Sequence, residues 1–318
     1  MQKSEVVVNG FVPKKKKSFL QQLSSQKELV IITLPFLLLL LIFNYAPLWG
    51  WITAFQNYKP ALGVSGSEWV GLKNFTDLFH DSNFYHALRN TLGIAILKFI
   101  FGFLTSITLA VLINEVRHQK YKKVVQTISY LPHFVSWVVA ANIVYNVLST
   151  DDGIVNKVLV NLHLVSHPIS FMGIPTAFWG VMVGSDIWKE VGWNSIIYLA
   201  AMTSIDSELY EAASIDGAGR IRKIFAITLP SIVPTIKILM ILSIGSLLSV
   251  GFEQTYLLSN PSVLDYSQTI ELYVYNYGIP LGRYSFATAA GIFNSVVALV
   301  LVTSFNRLSK MIDGESAF

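Results

Sequence analysis

The amino-acid sequence predicts an all-α membrane protein that crosses the bilayer six times, with both termini in the cytoplasm. Three observations carry this prediction. Of 318 residues, 53% are hydrophobic and only 13% charged, against roughly 25% charged in a typical soluble domain, and the mean hydropathy is +0.53. Six segments reach the length of about 20 apolar residues that a hydrocarbon layer requires. Lys and Arg gather on alternate loops. The same composition excludes a disordered chain, which needs low hydrophobicity. With no cysteine, disulfides, thiolate metal sites and cysteine nucleophiles are excluded. The net charge of +4 makes no case for nucleic acid, because basic cytoplasmic loops account for it.

The first span runs from about Leu29 to Trp49. Lys14–Lys17 before it resemble the positive region of a signal peptide. The apolar run is too long for one, however, ends in Trp49-Gly50-Trp51 and is followed by no A-x-A site. It therefore reads as a retained span with an interfacial aromatic end. The second span covers Asn90 to Asn114 and the third Gln126 to Leu148. The fourth, Ile174 to Met202, is the least cleanly apolar. The fifth follows Pro230 to Val250, and the sixth covers Phe286 to Phe305. A basic extension, 1–28, precedes this 29–310 domain, and a short tail, 311–318, follows it.

Orientation follows from the basic residues. One side holds Lys3, Lys14–Lys17, Lys27, Arg117, Lys120, Lys122, Lys123, Arg220, Arg222, Lys223, Arg307 and Lys310. The other holds Lys59, Lys73, Arg89, Lys157 and Arg283. The richer side is cytoplasmic. The outer loops are long and hold turn formers such as Pro60, Gly63, Pro168 and Pro261, so they read as small structured caps.

The cytoplasmic stretch Asp206 to Pro230 is the most informative. Asp206 can cap a helix, with Glu208 favourable in its first turn. The helix runs through Leu209, Tyr210, Glu211, Ala212 and Ala213, and Gly217 can take the left-handed conformation that ends it. A second short helix places Ile221, Ile224 and Phe225 on one face and Arg220, Arg222 and Lys223 on the other. The apolar face is expected to sit on the bundle and the charged face to meet a partner. Pro230 marks the start of span five.

Glu211-Ala212-Ala213, Asp216-Gly217-Ala218, then Phe225, Ile227, Leu229 and Pro230 resemble the EAA loop of the permeases of binding-protein-dependent ABC importers. That loop lies on the cytoplasmic side before the penultimate span, as here. Tyr45-Ala46-Pro47-Leu48-Trp49-Gly50, Trp69 to Phe75 and Tyr284 to Ala289 are similar to the branch that imports oligosaccharides or polysaccharide fragments. The resemblance implies a type I permease fold in a bacterial cell membrane. It implies that Glu211, Ala212, Ala213, Asp216, Gly217, Ala218, Arg220, Phe225, Leu229 and Pro230 dock on an ATP-binding subunit. It also implies a second permease, with a heterodimer favoured by the N-terminal extension, two ATP-binding cassette subunits, an extracellular solute-binding protein and a carbohydrate substrate. ATP and Mg would be bound by the partner, with no cofactor in this chain. In keeping with this, the sequence holds no G-x-x-x-x-G-K-[ST] phosphate loop.

Polar residues inside a membrane are expensive and default to function. Asp186, Lys189 and Glu190 sit midway along span four, with Asp186 and Lys189 spaced to pair on one face. Asn142, Tyr145 and Asn146 on span three, Trp188, Trp193 and Asn194 on span four, and Glu253 after span five are candidates for a sugar path. Amides and carboxylates there would bond hydroxyls, and aromatic rings would take C–H faces. For any single one of them a structural role, as interfacial anchor or interhelical bond, is the favoured reading. Lys98 and Lys237 read as snorkelling cations. Gly102, Ser106 and Ala110 read as a packing stripe. His163 and His167 share helical spacing, but Pro168 and a loop setting argue against a metal site.

Three functions compete at this level. The first is a non-catalytic permease subunit of an ATP-driven carbohydrate importer. The second is the same assembly moving a peptide, chelate or other solute. The third is a polytopic membrane enzyme using Asp186 and Glu190 on a lipid-linked sugar.

Overall fold

The computed structural model describes residues 26–313, with backbone alone at 305 and 308–313. Most of the expected extension (1–28) and tail (311–318) lies outside these. The chain divides between Ile52 and Thr53 into two compact units.

The first unit begins with α1 (Lys27–Leu40) and continues through a π-turn, Leu41–Tyr45, into a 3-10 stretch, Ala46–Phe55. The Ala46 N–H reaches back to the Leu41 carbonyl. Pro47 lacks the N–H that a regular helix would aim at Phe43, and a widened turn absorbs the loss.

The second unit holds, besides short helices in its loops such as Lys73–His80 and Ile154–Asn161, the helices α2 (Ser82–Glu115), α3 (Gln119–Tyr130), α4 (Trp137–Leu148), α5 (Phe178–Thr203), α6 (Ser207–Ile215), α7 (Arg220–Lys223), α8 (Leu229–Gly245), α9 (Phe252–Leu258), α10 (Ile270–Gly278) and α11 (Tyr284–Asp313). The loops opposite the Asp206–Pro230 end are structured caps, as expected. Gln56–Asn57 and Glu68–Trp69 form a small antiparallel ladder. The Asn156 amide, almost fully buried, bonds Ser149 and Ile169 and closes the loop 149–173. Asp81 caps α2 through the Asn83 N–H and accepts from the Tyr273 hydroxyl at 2.7 Å. Burial and that carboxylate raise the Tyr273 pKa, so the phenol remains a neutral donor.

Among the described residues, four stretches are helices long and apolar enough to cross a membrane: Lys27–Phe55, Ser82–Glu115, Arg220–Gly245 and Tyr284–Ser304. The third expected span is not continuous. Gln119–Phe134 and Trp137–Leu148 meet at a bend of 108°. Pro132 forces a 3-10 turn over Leu131–Phe134, Val135 is extended, and the Ser136 hydroxyl caps α4. The fourth expected span is the single helix α5, 26 residues or about 39 Å long, whose Asp186, Lys189 and Glu190 interrupt its apolar character. The fifth departs at both ends. Helical structure runs from Arg220 through a π-turn, Ile224–Thr228, into α8, and Pro230 sits harmlessly in the first α-helical turn. It ends at Gly245 rather than Val250, and Gly251 follows with φ +94°.

Helices α2 and α5 pack along their length. Ile94 and Ala95 meet Phe178 and Met182 toward the capped end, while Ala110 and Ile113 meet Tyr198, Leu199 and Met202 toward the other. A third cluster joins Leu78 and Phe84 to Tyr273 and Phe286. Helix α3 crosses α5 so closely that a Cβ on Gly192 would lie 1.9 Å from the Ser129 carbonyl oxygen. Gly192→Ala must therefore push two backbones apart. A loss of about 2–3 kcal/mol is expected, at the upper end of overpacking, read as a lower midpoint of chemical unfolding in lipid nanodiscs. An unchanged midpoint would contradict the close crossing.

Candidate functional site

Two sites stand out, one on the Asp206–Pro230 loop and one within the helices. On the loop, the Asp206 carboxylate caps α6 by accepting from the Glu208 N–H at 3.0 Å. At the other end Gly217 adopts φ +76°. The Gly217 N–H then bonds the Ser214 carbonyl at 3.1 Å and the Ala218 N–H the Ala213 carbonyl at 2.8 Å. This is a Schellman cap, and it needs the left-handed residue that glycine supplies. The returning leg is tied back by Tyr210 Oη···Thr228 Oγ1 at 2.9 Å and by Lys223 Nζ donating to Ser214 Oγ at 2.5 Å. Glu211, Ala212, Asp216, Arg220, Phe225 and Pro230 are exposed, whereas Ala213, Ala218 and Leu229 are half-buried.

The expectation that the apolar face sits on the bundle is corrected here. Ile215 is 88% exposed, Ile221 74% and Phe225 67%. Of the expected apolar face, Ile221 and Phe225 are thus left exposed, as Glu211 is, and Ile224 alone is half-buried.

The second site is a cleft of about 550 Å³ between α2, α5 and α8. Lys98 Nζ donates to Asp186 Oδ1 at 2.7 Å, to the Val250 carbonyl at 2.8 Å and to Gln254 Oε1 at 2.5 Å. Gln254, fully buried, passes the contact on, donating through Nε2 to the Met182 carbonyl and to Ser185 Oγ. Lys98 is thus not a snorkelling cation. Its partner is the carboxylate that the sequence paired with Lys189. Lys189, itself buried, instead donates to Glu190 Oε1 at 3.0 Å and to the His133 carbonyl at 2.8 Å. The break in the third span leaves that carbonyl available. His133 Nδ1 lies 2.6 Å from Glu190 Oε2, and its ring stacks on Trp193 at 4.4 Å.

Of the residues expected along a path, Asp186, Trp193 and Asn194 line this cleft. The others lie elsewhere. Asn146 donates to Asn142 on an exposed face of α4. Tyr145 donates to the Leu258 carbonyl. Trp188 borders a separate apolar groove with Ile143, Val147 and Gly184. Glu253 is exposed on α9, and its neighbour Gln254 is the residue turned inward. Sequence reasoning missed Phe99, Phe103, Ser106 and Trp137, which complete the cleft wall. The stripe read as packing divides: Ala110 packs, while Gly102 and Ser106 face the cleft. A cation in one span and a carboxylate in another were the available signal for Lys98 and Asp186.

Residues 102–314 match the family of binding-protein-dependent transport system inner membrane components. The chain is 44% identical to the protein LplB of Bacillus subtilis over 95% of its own length and 94% of that protein's. It is 42% identical to YteP, a polygalacturonan/rhamnogalacturonan transport system permease of the same organism, over 97% of this chain and 95% of the relative. It is also similar to the crystal structure of a bacterial alginate ABC transporter in complex with an alginate pentasaccharide-bound periplasmic protein. There the TM-score is 0.84 at 41% identity, covering 94% of this chain and 100% of that one. The chain belongs to the family of binding-protein-dependent inner membrane transport components, and its place is the cell membrane.

Proposed function

We propose that this chain is the permease subunit of an ATP-driven ABC importer and forms part of the path for an oligosaccharide. The observation that carries the reading is the Asp206–Pro230 loop. It is a capped, tied-back turn that leaves Leu209, Ile215, Ile221 and Phe225 exposed on the same loop as the exposed Glu211. Such exposure asks for a partner, and the family supplies its kind. Glu211 would meet a basic residue of an ATP-binding subunit, and the apolar residues would fill its groove. ATP and Mg belong to that partner, two copies of which would close on nucleotide and move the loops of two permeases. The path would then turn from inward to outward facing.

The carbohydrate reading rests on the relatives that transport polygalacturonan, rhamnogalacturonan or arabinooligosaccharides and on aromatic and hydroxyl groups in the cleft. The alginate transporter's periplasmic protein supports delivery by an extracellular binding protein. In this reading the chain crosses the membrane six times, with the bent third span and charged α5 completing the count, and the Asp206–Pro230 loop is cytoplasmic. A single chain encloses too little space for an oligosaccharide, so a second, different permease completes the path.

Substitution Gly217→Val tests the coupling role. A β-branched residue at φ +76° is strained by roughly 1–2 kcal/mol and unseats the cap without touching the helices. Sugar uptake is expected to fall at least about tenfold while membrane insertion, read by immunoblot of the membrane fraction, stays normal. Normal uptake in the inserted variant would remove the loop from energy coupling.

A further inference from the structure

We propose that this chain's wall of the cleft reads the uncharged, hydroxyl-bearing face of a sugar, and that Lys98 does not recognise substrate charge. The inference rests on the carbohydrate reading and deepens it, since one relative is named for polygalacturonan and one similar structure for the acidic polysaccharide alginate. An acidic chain bears a carboxylate on its uronate units, and the obvious receptor within the membrane is an ammonium.

Neither intramembrane ammonium beside the cleft is available for that. An ammonium has three N–H donors, and all three of Lys98 already have protein acceptors at 2.5–2.8 Å. Lys189 is buried beneath Glu190 and the His133 carbonyl. The two cations are matched by Asp186 and Glu190 at 2.7 and 3.0 Å, so the wall is neutral as a whole. A substrate carboxylate taking Lys98 would leave Asp186 unpaired at membrane depth, at a penalty of its own.

What remains is suited to neutral groups. The Ser106 hydroxyl is 2% exposed, borders the cleft and has no hydrogen-bond partner. A buried hydroxyl without a partner is rare in folded proteins, and a turn of this side chain toward the cleft would let a sugar hydroxyl supply one. The exposed amide of Asn194 adds a donor and an acceptor. Phe99 and Phe103, with ring centroids 4.9 Å apart, and Trp193, held flat by His133, offer faces for the C–H surface of a pyranose. The carboxylates of an acidic chain then face away from this wall, toward the companion permease.

The absence of cysteine makes the test direct. The assembly is purified through a tag on this chain carrying Ile197→Cys, an exposed cleft position with no polar role, placed in nanodiscs and labelled with N-ethylmaleimide. Trigalacturonate and its fully methyl-esterified form are the protecting probes, and uptake of both by cells is recorded in parallel. The two probes are expected to protect the thiol introduced at position 197 of this chain at half-maximal concentrations within about threefold of each other. Adding Ser106→Ala is expected to raise both values about fivefold, the worth of one neutral hydrogen bond. A tenfold or greater preference for the acid, lost in the Lys98→Gln/Asp186→Asn double variant, would overturn the proposal. So would uptake without protection, which would leave the carbohydrate reading standing. If neither probe nor any other glycan is taken up or protects, the carbohydrate reading itself falls.

Discussion

An ammonium inside a bilayer is tolerable when each of its N–H groups meets an acceptor, and the interior of this protein is organised around that requirement at Lys98. Its three acceptors come from three places: a carboxylate on α5, a side-chain amide on α9 and the backbone carbonyl of Val250. The last of these lies just past the point where α8 has stopped, before the left-handed Gly251. A carbonyl no longer engaged in a helix is what Lys98 needs, and the cation is what lets a non-helical segment lie among the helices. One side chain therefore fixes the separation of α2 and α5, the path of the chain leaving α8 and the inward turn of Gln254.

The same logic recurs one turn along α5. Pro132 interrupts the third span and leaves the His133 carbonyl without a helical donor, and Lys189 supplies one. Glu190 neutralises Lys189 and holds the imidazole, which in turn orients Trp193 over the cleft. Both interruptions of helical structure face α5, and both are closed by a lysine whose charge is cancelled close by. The charges at Lys98, Asp186, Lys189 and Glu190 thus form a framework. Beside them the cleft is lined by hydroxyls, an amide and aromatic rings.

Much of this was legible in the sequence. Apolar runs located the helices, and Asp206, Gly217 and Pro230 marked the loop, because capping depends on residue type at a fixed local position. What could not be read were the long-range partners. Lys189 stands three residues from Asp186, and local spacing favours that pair, yet tertiary packing brings Lys98 to Asp186 and leaves Lys189 to Glu190. Pro132 announced the break in the third span, but its apolar surroundings masked it. The outward turn of Ile221 and Phe225 was equally hidden, since periodicity gives a helix an apolar face without saying what covers it.

The central claim, that Lys98 and Asp186 act as one structural unit, is tested most directly by a double-mutant cycle on stability. Lys98→Met, Asp186→Asn and the double variant would be unfolded chemically in lipid nanodiscs. Each single change strands a mostly buried charge, and a loss of roughly 3 kcal/mol is expected. The double variant strands none, so it should be more stable than the sum of the two losses by at least about 1 kcal/mol. Losses that add to within about 0.5 kcal/mol, as at independent positions, would contradict the account.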